Sequence, residues 1–314
     1  MAVMTAMTEG PDSAPATMGR LVADATAVLA SAGIESARLD ARILAAHALG
    51  VAPETPFLWP EAPVAASGRD VLDSLIRRRA AGTPVSRILK RREFWSLDFE
   101  IGPAVLDPRP DSEILVEAVL DRLGDRTRPW RILDLGTGSG CLLLALLSEL
   151  PAAEGLGLDA SPAAAAMARR NARRLGLDGR AGFVVGDWAS ALGGRRYDAV
   201  IANPPYIPSD AIAALAPDVA EHDPQLALDG GVDGLGCYRA ILAQATGLLA
   251  PAGLLAMEFG AGQDGALRTL VEETGLVVER IAADLAGRPR CLLATPGEGI
   301  APALGNDPET VGAR

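Results

Sequence analysis

Between residues 129 and 295, short apolar segments of strand character alternate with segments of helical periodicity, and no other feature constrains the fold as much. Residues 131–135 read as a strand and 141–150 as a helix; 155–159 read as a strand and 162–175 as a helix with Pro162 near its start. Strands over 183–185 and 197–202 follow, then a helix over 238–249 and a strand over 254–259. A helix over 265–274 and strands over 276–281 and 290–294 close the region. Such alternation predicts an α/β unit whose mostly parallel sheet is covered by helices on both faces. Ligands of such sheets bind beyond the carboxyl ends of the strands, so chemistry is expected there.

The chain has 314 residues, which leaves room for a second unit. Residues 18–90 carry helical spacing throughout. Leu21, Val22, Ala25, Val28 and Leu29 form one stripe, Leu39, Ile43, Leu44 and Leu49 a second, and Val71, Leu72, Leu75 and Ile76 a third. A small all-helical N-terminal domain of about three to five helices is expected. Its basic residues crowd late, as Arg69, Arg77, Arg78, Arg79, Arg87 and Lys90. They fit a solvated helix face or a contact for an acidic partner or an RNA. Residues 91–128 read as a connector: Phe94, Leu97, Phe99 and Ile101 suggest a hairpin, and Ile114, Leu115, Val119 and Leu120 a helix that Asp111 or Ser112 can cap. Residues 1–17 and 296–314 read as disordered tails.

Several function classes are disfavoured. The net charge is −11, against sequence-blind nucleic-acid affinity, which comes mainly from basic residues neutralising phosphates. Cys141, Cys237 and Cys291 are odd in number and far apart, so neither a disulfide framework nor a zinc cluster is expected. His47 and His222 are the only histidines, which disfavours a His-based triad or a multi-histidine metal site. The apolar run 245–257 is too short to span a membrane and is interrupted by Pro251 and Gly253. The start of the chain carries Glu9 and Asp12 and no basic cluster, so it does not read as a secretory signal, and a cytoplasmic location is expected.

The strand ends carry the motifs. The first strand runs into Asp134-Leu135-Gly136-Thr137-Gly138-Ser139-Gly140, whose alternating glycines allow a tight turn and close approach to a ligand. A generic tight turn is the plainer reading; the order strand, glycine loop, apolar helix favours a binding loop. Asp159 ends the second strand, where a carboxylate can accept from both hydroxyls of a ribose. Asp187-Trp188 follows the third, an acceptor for an adenine amino group beside an indole that can cover the base, although Trp188 also suits ordinary packing. Together these features indicate an adenosine-containing ligand and leave NAD and S-adenosylmethionine both open.

The fourth strand ends in Asn203-Pro204-Pro205-Tyr206. The prolines fix the backbone and remove two N–H donors while their carbonyls remain acceptors. Asn203 adds a side-chain oxygen. The result is a rigid, acceptor-rich pocket for a planar –NH2 group, with Tyr206 able to stack on its plane.

With these residues in view, the chain resembles the class I S-adenosylmethionine-dependent methyltransferases, and among them the HemK/PrmC-type glutamine methyltransferases of peptide chain release factors. The resemblance covers roughly residues 18–295. It includes Arg92-Glu93-Phe94-Trp95, Pro108-Arg109-Pro110-Asp111-Ser112-Glu113, the glycine loop, Asp159, Asp187-Trp188, Asn203 to Tyr206, Asp223-Pro224-Gln225-Leu226-Ala227-Leu228 and Asp284-Leu285-Ala286-Gly287-Arg288. It implies a Rossmann-like methyltransferase domain over 129–295 that uses S-adenosylmethionine and no metal. It implies that Asp134 and Gly136, Thr137, Gly138, Ser139 and Gly140 surround the methionine part and that Asp159 holds the ribose. Asp187 and Trp188 then lie by the adenine, Asn203, Pro204, Pro205 and Tyr206 hold the methyl-accepting amide, and the segment 108–113 closes over the site. The implied substrate is the Gly-Gly-Gln glutamine of class-1 peptide chain release factors.

Adenine's exocyclic amine is also a planar –NH2, so the pocket motif alone leaves an adenine-N6 methyltransferase open. Residues 197–235 lean against it: Asp198, Asp210, Asp218, Glu221, Asp223, Asp229 and Asp233 stand there with no Lys or Arg, which repels phosphates and suits a basic protein. A solvated loop is the plainer account of that run. A ribosomal-protein glutamine methyltransferase is the nearest enzymatic rival, and a non-catalytic module holding a translation factor is a rival of another class.

Overall fold

The computed structural model describes residues 17–188, 192 and 194–297. The tails expected at 1–17 and 296–314 lie outside the described residues except at their inner ends, which belong to the fold. Thr17 caps the first helix by accepting from the Arg20 N–H, and Pro296 ends the last strand. Contacts divide the chain into two units after Leu89.

The first unit holds α1 (Met18–Ser31), α2 (Ala37–Leu49), α3 (Thr55–Leu58), α4 (Ala66–Ala80) and α5 (Val85–Leu89). Leu21, Ala25 and Leu29 of α1 meet Ala41, Leu44 and Ala45 of α2, Leu72 and Ile76 of α4, and Ile88 of α5. Of the stripes read from sequence, Leu21, Ala25, Leu29, Leu44, Leu72 and Ile76 are buried with Val22 and Leu75 packed against them, whereas Val28, Leu39 and Val71 are exposed. Arg79 departs from its expected place on a basic surface: it is buried and pairs with Asp40 at 2.7 Å, and Ser36 donates to the same carboxylate at 2.9 Å. Phe57, Leu58 and Trp59 are exposed.

The second unit opens with a hairpin, β1 (Arg91–Phe94) and β2 (Leu97–Glu100). Trp95 and Ser96 turn it with φ of +53° and +56°, the twist a two-residue hairpin turn requires. A 3-10 turn at Pro110–Ser112 leads into α6 (Glu113–Leu123). Then come β3 (Arg131–Leu135), α7 (Cys141–Glu149), β4 (Glu154–Asp159), α8 (Pro162–Arg174), β5 (Ala181–Val185) and β6 (Tyr197–Ala202). The short α9 (Pro217–Ala220) precedes α10 (Gly236–Leu248), β7 (Leu249–Glu258), α11 (Asp264–Glu273), β8 (Leu276–Ala283) and β9 (Pro289–Pro296).

The sheet runs β5-β4-β3-β6-β7-β9-β8, with the first five strands parallel and β9 antiparallel to both neighbours. Side chains alternate across it: Ile132 faces α6 and α7, while Leu133 and Leu135 face α10 and α11. The chain winds outward from β3 to β5, then returns to lay β6 beside β3. The crevice above that reversal is where such sheets bind ligands. None of the described helices is long and apolar enough to cross a membrane.

Two local differences from the sequence reading have physical causes. β7 begins at Leu249 rather than 254, because Pro251 and Gly253 sit where the register shifts against Tyr197 and Ala199, and a bulge absorbs them. The acidic run over 197–235 is not one uniform field. Asp198 pairs with Arg131, Asp223 with Arg109 and Asp233 with Arg239, and Asp229 accepts from Ser209.

Candidate functional site

The loop after β3 is built by backbone conformations that only glycine adopts freely. Gly136, Gly138 and Gly140 have φ of +76°, +55° and +82°. At Gly136 an added Cβ would meet nothing, so the dihedral and not the space demands glycine there. The N–H groups of Gly136 and Thr137 both donate to the Leu158 carbonyl at 2.9 Å, tying the loop to β4. Asn171 of α8 donates to the Ser139 carbonyl at 2.9 Å and pins the loop from the other side. Sequence reasoning passed over Asn171, since one amide within a helix carries no local signal.

Asp159 ends β4 and accepts from the Gly138 N–H through Oδ2 and the Ser161 N–H through Oδ1, both at 2.8 Å. Burial raises its pKa, and these two N–H groups oppose the rise. A carboxylate has about four acceptor positions, so capacity remains for hydroxyl donors. Ser161 caps α8 by accepting from the Ala164 N–H.

Asp134 corrects its expected role. It is 1% exposed, accepts from Thr137 Oγ1 at 2.7 Å, and leaves Oδ1 without a partner. Burial pushes its carboxyl up to about 7; the Thr137 bond opposes the rise and the charge of Asp159 adds to it. It braces the loop from beneath and is not on the cavity wall.

That wall encloses about 380 Å³. Gly136, Thr137, Gly138, Ser139, Asp159, Asp187, Trp188, Asn203 and Pro205 of the expected residues line it. The cavity size and its largely apolar wall with a few polar groups suit a nucleoside-sized ligand. Cys141 also faces it, but burial pushes its thiol up to about 12, so no thiolate is available. Two segments far apart in sequence are joined at its rim: Arg109 pairs with Asp223, whose other oxygen accepts from the Asp107 N–H at 3.2 Å. Pro108 and Arg109 on one side and Pro224, Leu226 and Ala227 on the other line the wall there.

The turn after β6 splits its expected residues. Asn203 and Pro205 are on the wall, whereas Pro204 is buried and Tyr206 stands outside it. The Tyr206 ring lies against Gly260, where a Cβ would come within 2.9 Å of Cδ2, and its carbonyl accepts from Gln263 at 2.9 Å. Burial, with Glu258 adding, raises its phenol to about 12. In place of a ring stacked over the cavity, Tyr206 is a neutral wedge that fixes the turn.

Asn203 Nδ2 donates to Ser112 Oγ at 3.1 Å. Ser112 was a candidate cap for α6 but makes no cap hydrogen bond; its hydroxyl serves Asn203. Behind both is Glu258, 3% exposed at the end of β7. Burial raises its carboxyl to about 7 against hydrogen bonds from Ser112 and Asn203 and the charge of Arg290, while Asp111 adds to the rise. Its only signal in the sequence is an isolated acid closing an apolar strand.

Comparison with known proteins places relatives beside this geometry. The family description "PrmC N-terminal domain" matches residues 20–89 and "Methyltransferase small domain" matches residues 108–222. A protein of Rhodospirillum rubrum named release factor glutamine methyltransferase is 52% identical over 280 residues, covering 88% of this chain and 84% of that one. One of the same name from Moorella thermoacetica is 43% identical over 279 residues, covering 88% of this chain and 98% of that one. The crystal structure of a methyltransferase from Pyrococcus furiosus aligns with a TM-score of 0.50 at 17% identity, covering 72% of this chain and 98% of that one, a likeness of fold.

Proposed function

The chain belongs to the release factor glutamine methyltransferase family, and on that premise we propose that it methylates the side-chain amide nitrogen of a glutamine in a peptide chain release factor. The favoured target is the Gly-Gly-Gln glutamine of class-1 factors. The observation that carries this reading is one cavity holding both a glycine loop and an asparagine-proline turn at neighbouring strand ends.

The residues fit S-adenosylmethionine. Gly136 and Gly138, at positive φ and with open space where a Cβ would stand, bring the backbone to the cavity wall, Asp159 retains acceptor capacity for hydroxyls, and Trp188 offers an apolar surface; Gly140 is off the wall and packs against Ala168 and Leu144. When bound, S-adenosylmethionine supplies a methyl group already activated on a sulfonium. The remaining difficulty is the acceptor, because an amide nitrogen shares its lone pair with its carbonyl. Asn203 Oδ1, on the cavity wall, accepts from an N–H of the acceptor and holds the lone pair in line. Its contribution is orientation and stabilisation of the positive charge that develops on nitrogen.

The helical unit, residues 18–89, selects the protein substrate in this reading. Phe57, Leu58 and Trp59, adjacent and exposed, give it an apolar contact patch. Trp59→Ala then raises KM for the release factor and leaves cofactor affinity unchanged. The chain works in the cytoplasm on a protein and makes no stable complex with nucleic acid.

The test is incubation with methyl-labelled S-adenosylmethionine and three acceptors offered separately: a release factor, a ribosomal protein and DNA. Label on the amide nitrogen of a release-factor glutamine is expected. Label confined to the ribosomal protein or to adenine overturns the assignment.

A further inference from the structure

Asn203 can serve an acceptor N–H only if its amide is held one way round. The amide has a carbonyl end and an NH2 end of nearly equal shape, and a rotation of 180° exchanges acceptor for donor. Something outside the turn must therefore choose between the two orientations.

The choice is made behind Asn203. Its NH2 donates to Ser112 Oγ at 3.1 Å, and the Glu258 carboxylate, at the end of the neighbouring strand, lies behind both. An ionised carboxylate only accepts, so it takes the NH2 end and repels the carbonyl end. A Ser112 hydroxyl whose proton points at Glu258 likewise has only lone pairs to offer Asn203. Oδ1 then faces the cavity that Asn203 lines. Glu258 is 3% exposed and its Oε2 has no partner, an arrangement that a purely structural acid does not need.

The carboxylate is supported from the last hairpin. Asp284 accepts from the Ala286 and Arg288 N–H groups, both at 2.9 Å, which folds the turn between β8 and β9. It also pairs at 3.4 Å with Arg290, whose guanidinium lies 3.5 Å from Asp111 and bears on Glu258. The Asp284 to Arg288 segment, conspicuous in the sequence and unused by the chemistry above, thus anchors the cation that favours the charged form of Glu258.

We propose that Glu258 is the positioning residue of this site: with Ser112 it accepts from the Asn203 NH2 and so fixes Oδ1 toward the acceptor nitrogen. This deepens the proposed function and rests on it. Glu258 touches neither substrate nor cofactor and acts through Asn203.

The full-length chain is assayed with S-adenosylmethionine and a release factor in single turnover, beside calorimetric titration of S-adenosylmethionine. Glu258→Gln keeps the volume but brings an NH2 that can donate to Asn203 Oδ1, so the amide populates both orientations. The rate is expected to fall about ten- to a hundredfold with cofactor Kd within about twofold, since only an interaction at the acceptor is lost. Ser112→Ala, which leaves the carboxylate in place, is expected to lose less, about three- to tenfold, by the same accounting.

The pH profile separates positioning from packing. The groups facing Glu258 are Asp111 and Ser112 before α6, Cys141 of α7, Asn203 and Tyr206 after β6, Tyr238 of α10, and Arg290 and Cys291 of β9. Burial keeps the two phenols and the Cys141 and Cys291 thiols protonated, while Glu258 is raised to about 7 and so titrates near neutrality. The wild-type rate should climb as pH rises through about 7, and Glu258→Gln should lack that acid limb. A wild-type rate in Glu258→Gln, or an acid limb that survives the substitution, overturns the proposal. If Glu258→Gln does not fold, Ser112→Ala decides: an unchanged rate there overturns it. Failure of the wild type to methylate the release factor is a different result and removes the functional reading instead.

Discussion

Two neighbouring strand ends of the same sheet solve opposite problems. The loop after β3 uses three glycines at positive φ, so its backbone turns tightly, and Gly136 and Gly138 bring it to the cavity with open space where a Cβ would stand. The turn after β6 uses two prolines, so the backbone offers carbonyls and withholds N–H groups. β3 and β6 are paired in register, with Leu135 opposite Ala202, so the two loops leave the sheet side by side. The difference teaches that polarity at a site can be written into the main chain: glycine frees the backbone and proline strips it of donors. One loop suits a ligand that must be approached closely, the other a ligand that brings its own N–H groups.

The comparison breaks most sharply at Asn203. Asn203→Ala removes the side-chain acceptor of the proline turn, and loss of a positioned group of this kind costs roughly 2.7–4 kcal/mol in the barrier, about a hundred- to a thousandfold in rate. Cofactor affinity should fall far less, and single-turnover methylation beside calorimetry separates the two; near-normal chemistry would remove Asn203 from the mechanism. On the glycine side, Asp159→Ala should weaken S-adenosylmethionine by about 1.5–3 kcal/mol, the worth of charge-assisted hydrogen bonds, and it also frees the Gly138 N–H. Unchanged calorimetric affinity in a folded variant would take Asp159 out of the binding site.

Gly138→Ala is gentler. The nearest atom to its new Cβ is 4.0 Å away, so only the strain of φ +55° acts, about 1–2 kcal/mol, shared between stability and cofactor affinity. A neutral outcome would mean the loop relaxes to negative φ without loss. The smallest effect concerns Asp134, whose pKa rises from 3.8 to about 7 on folding. The stability this lends is whole below the unfolded value and is lost as pH rises through about 7. Asp134→Asn, free of that titration, should therefore melt about 2–8 °C above the wild type at pH 8, with the gain shrinking toward pH 4. A gain equal at both pH values would place the proton elsewhere.

What the sequence discloses follows the range of the forces involved. Alternating glycines and paired prolines act on their own backbone, so the two loops and their strands are legible residue by residue. The helical unit's stripes are equally local. Ser112 and Glu258 reach Asn203 only because β7 lies beside β6 and the 3-10 turn before α6 meets the same strand ends, so their role depends on strand order. Arg79 misleads for a related reason: beside Arg77 and Arg78 it looks like one more surface cation, and its partner Asp40 is one helix pair away. Tyr206 misleads by proximity, since adjacency in sequence to Asn203 does not put its ring on the same side of the turn.

The last strand has a bearing on how the protein comes into being. β9 slots between β7 and β8, so β8 has no neighbour and β7 remains an open edge until the final described strand is made. In register Cys291 lies opposite Glu258, and the adjoining Arg290 arrives with it. A ribosome that has finished everything through β8 has released the glycine loop, Asp159 and the Asn203 turn, yet not the cation behind Glu258. If Glu258 orients Asn203 as proposed, the parts of the site come early in synthesis and their alignment waits for the last described strand.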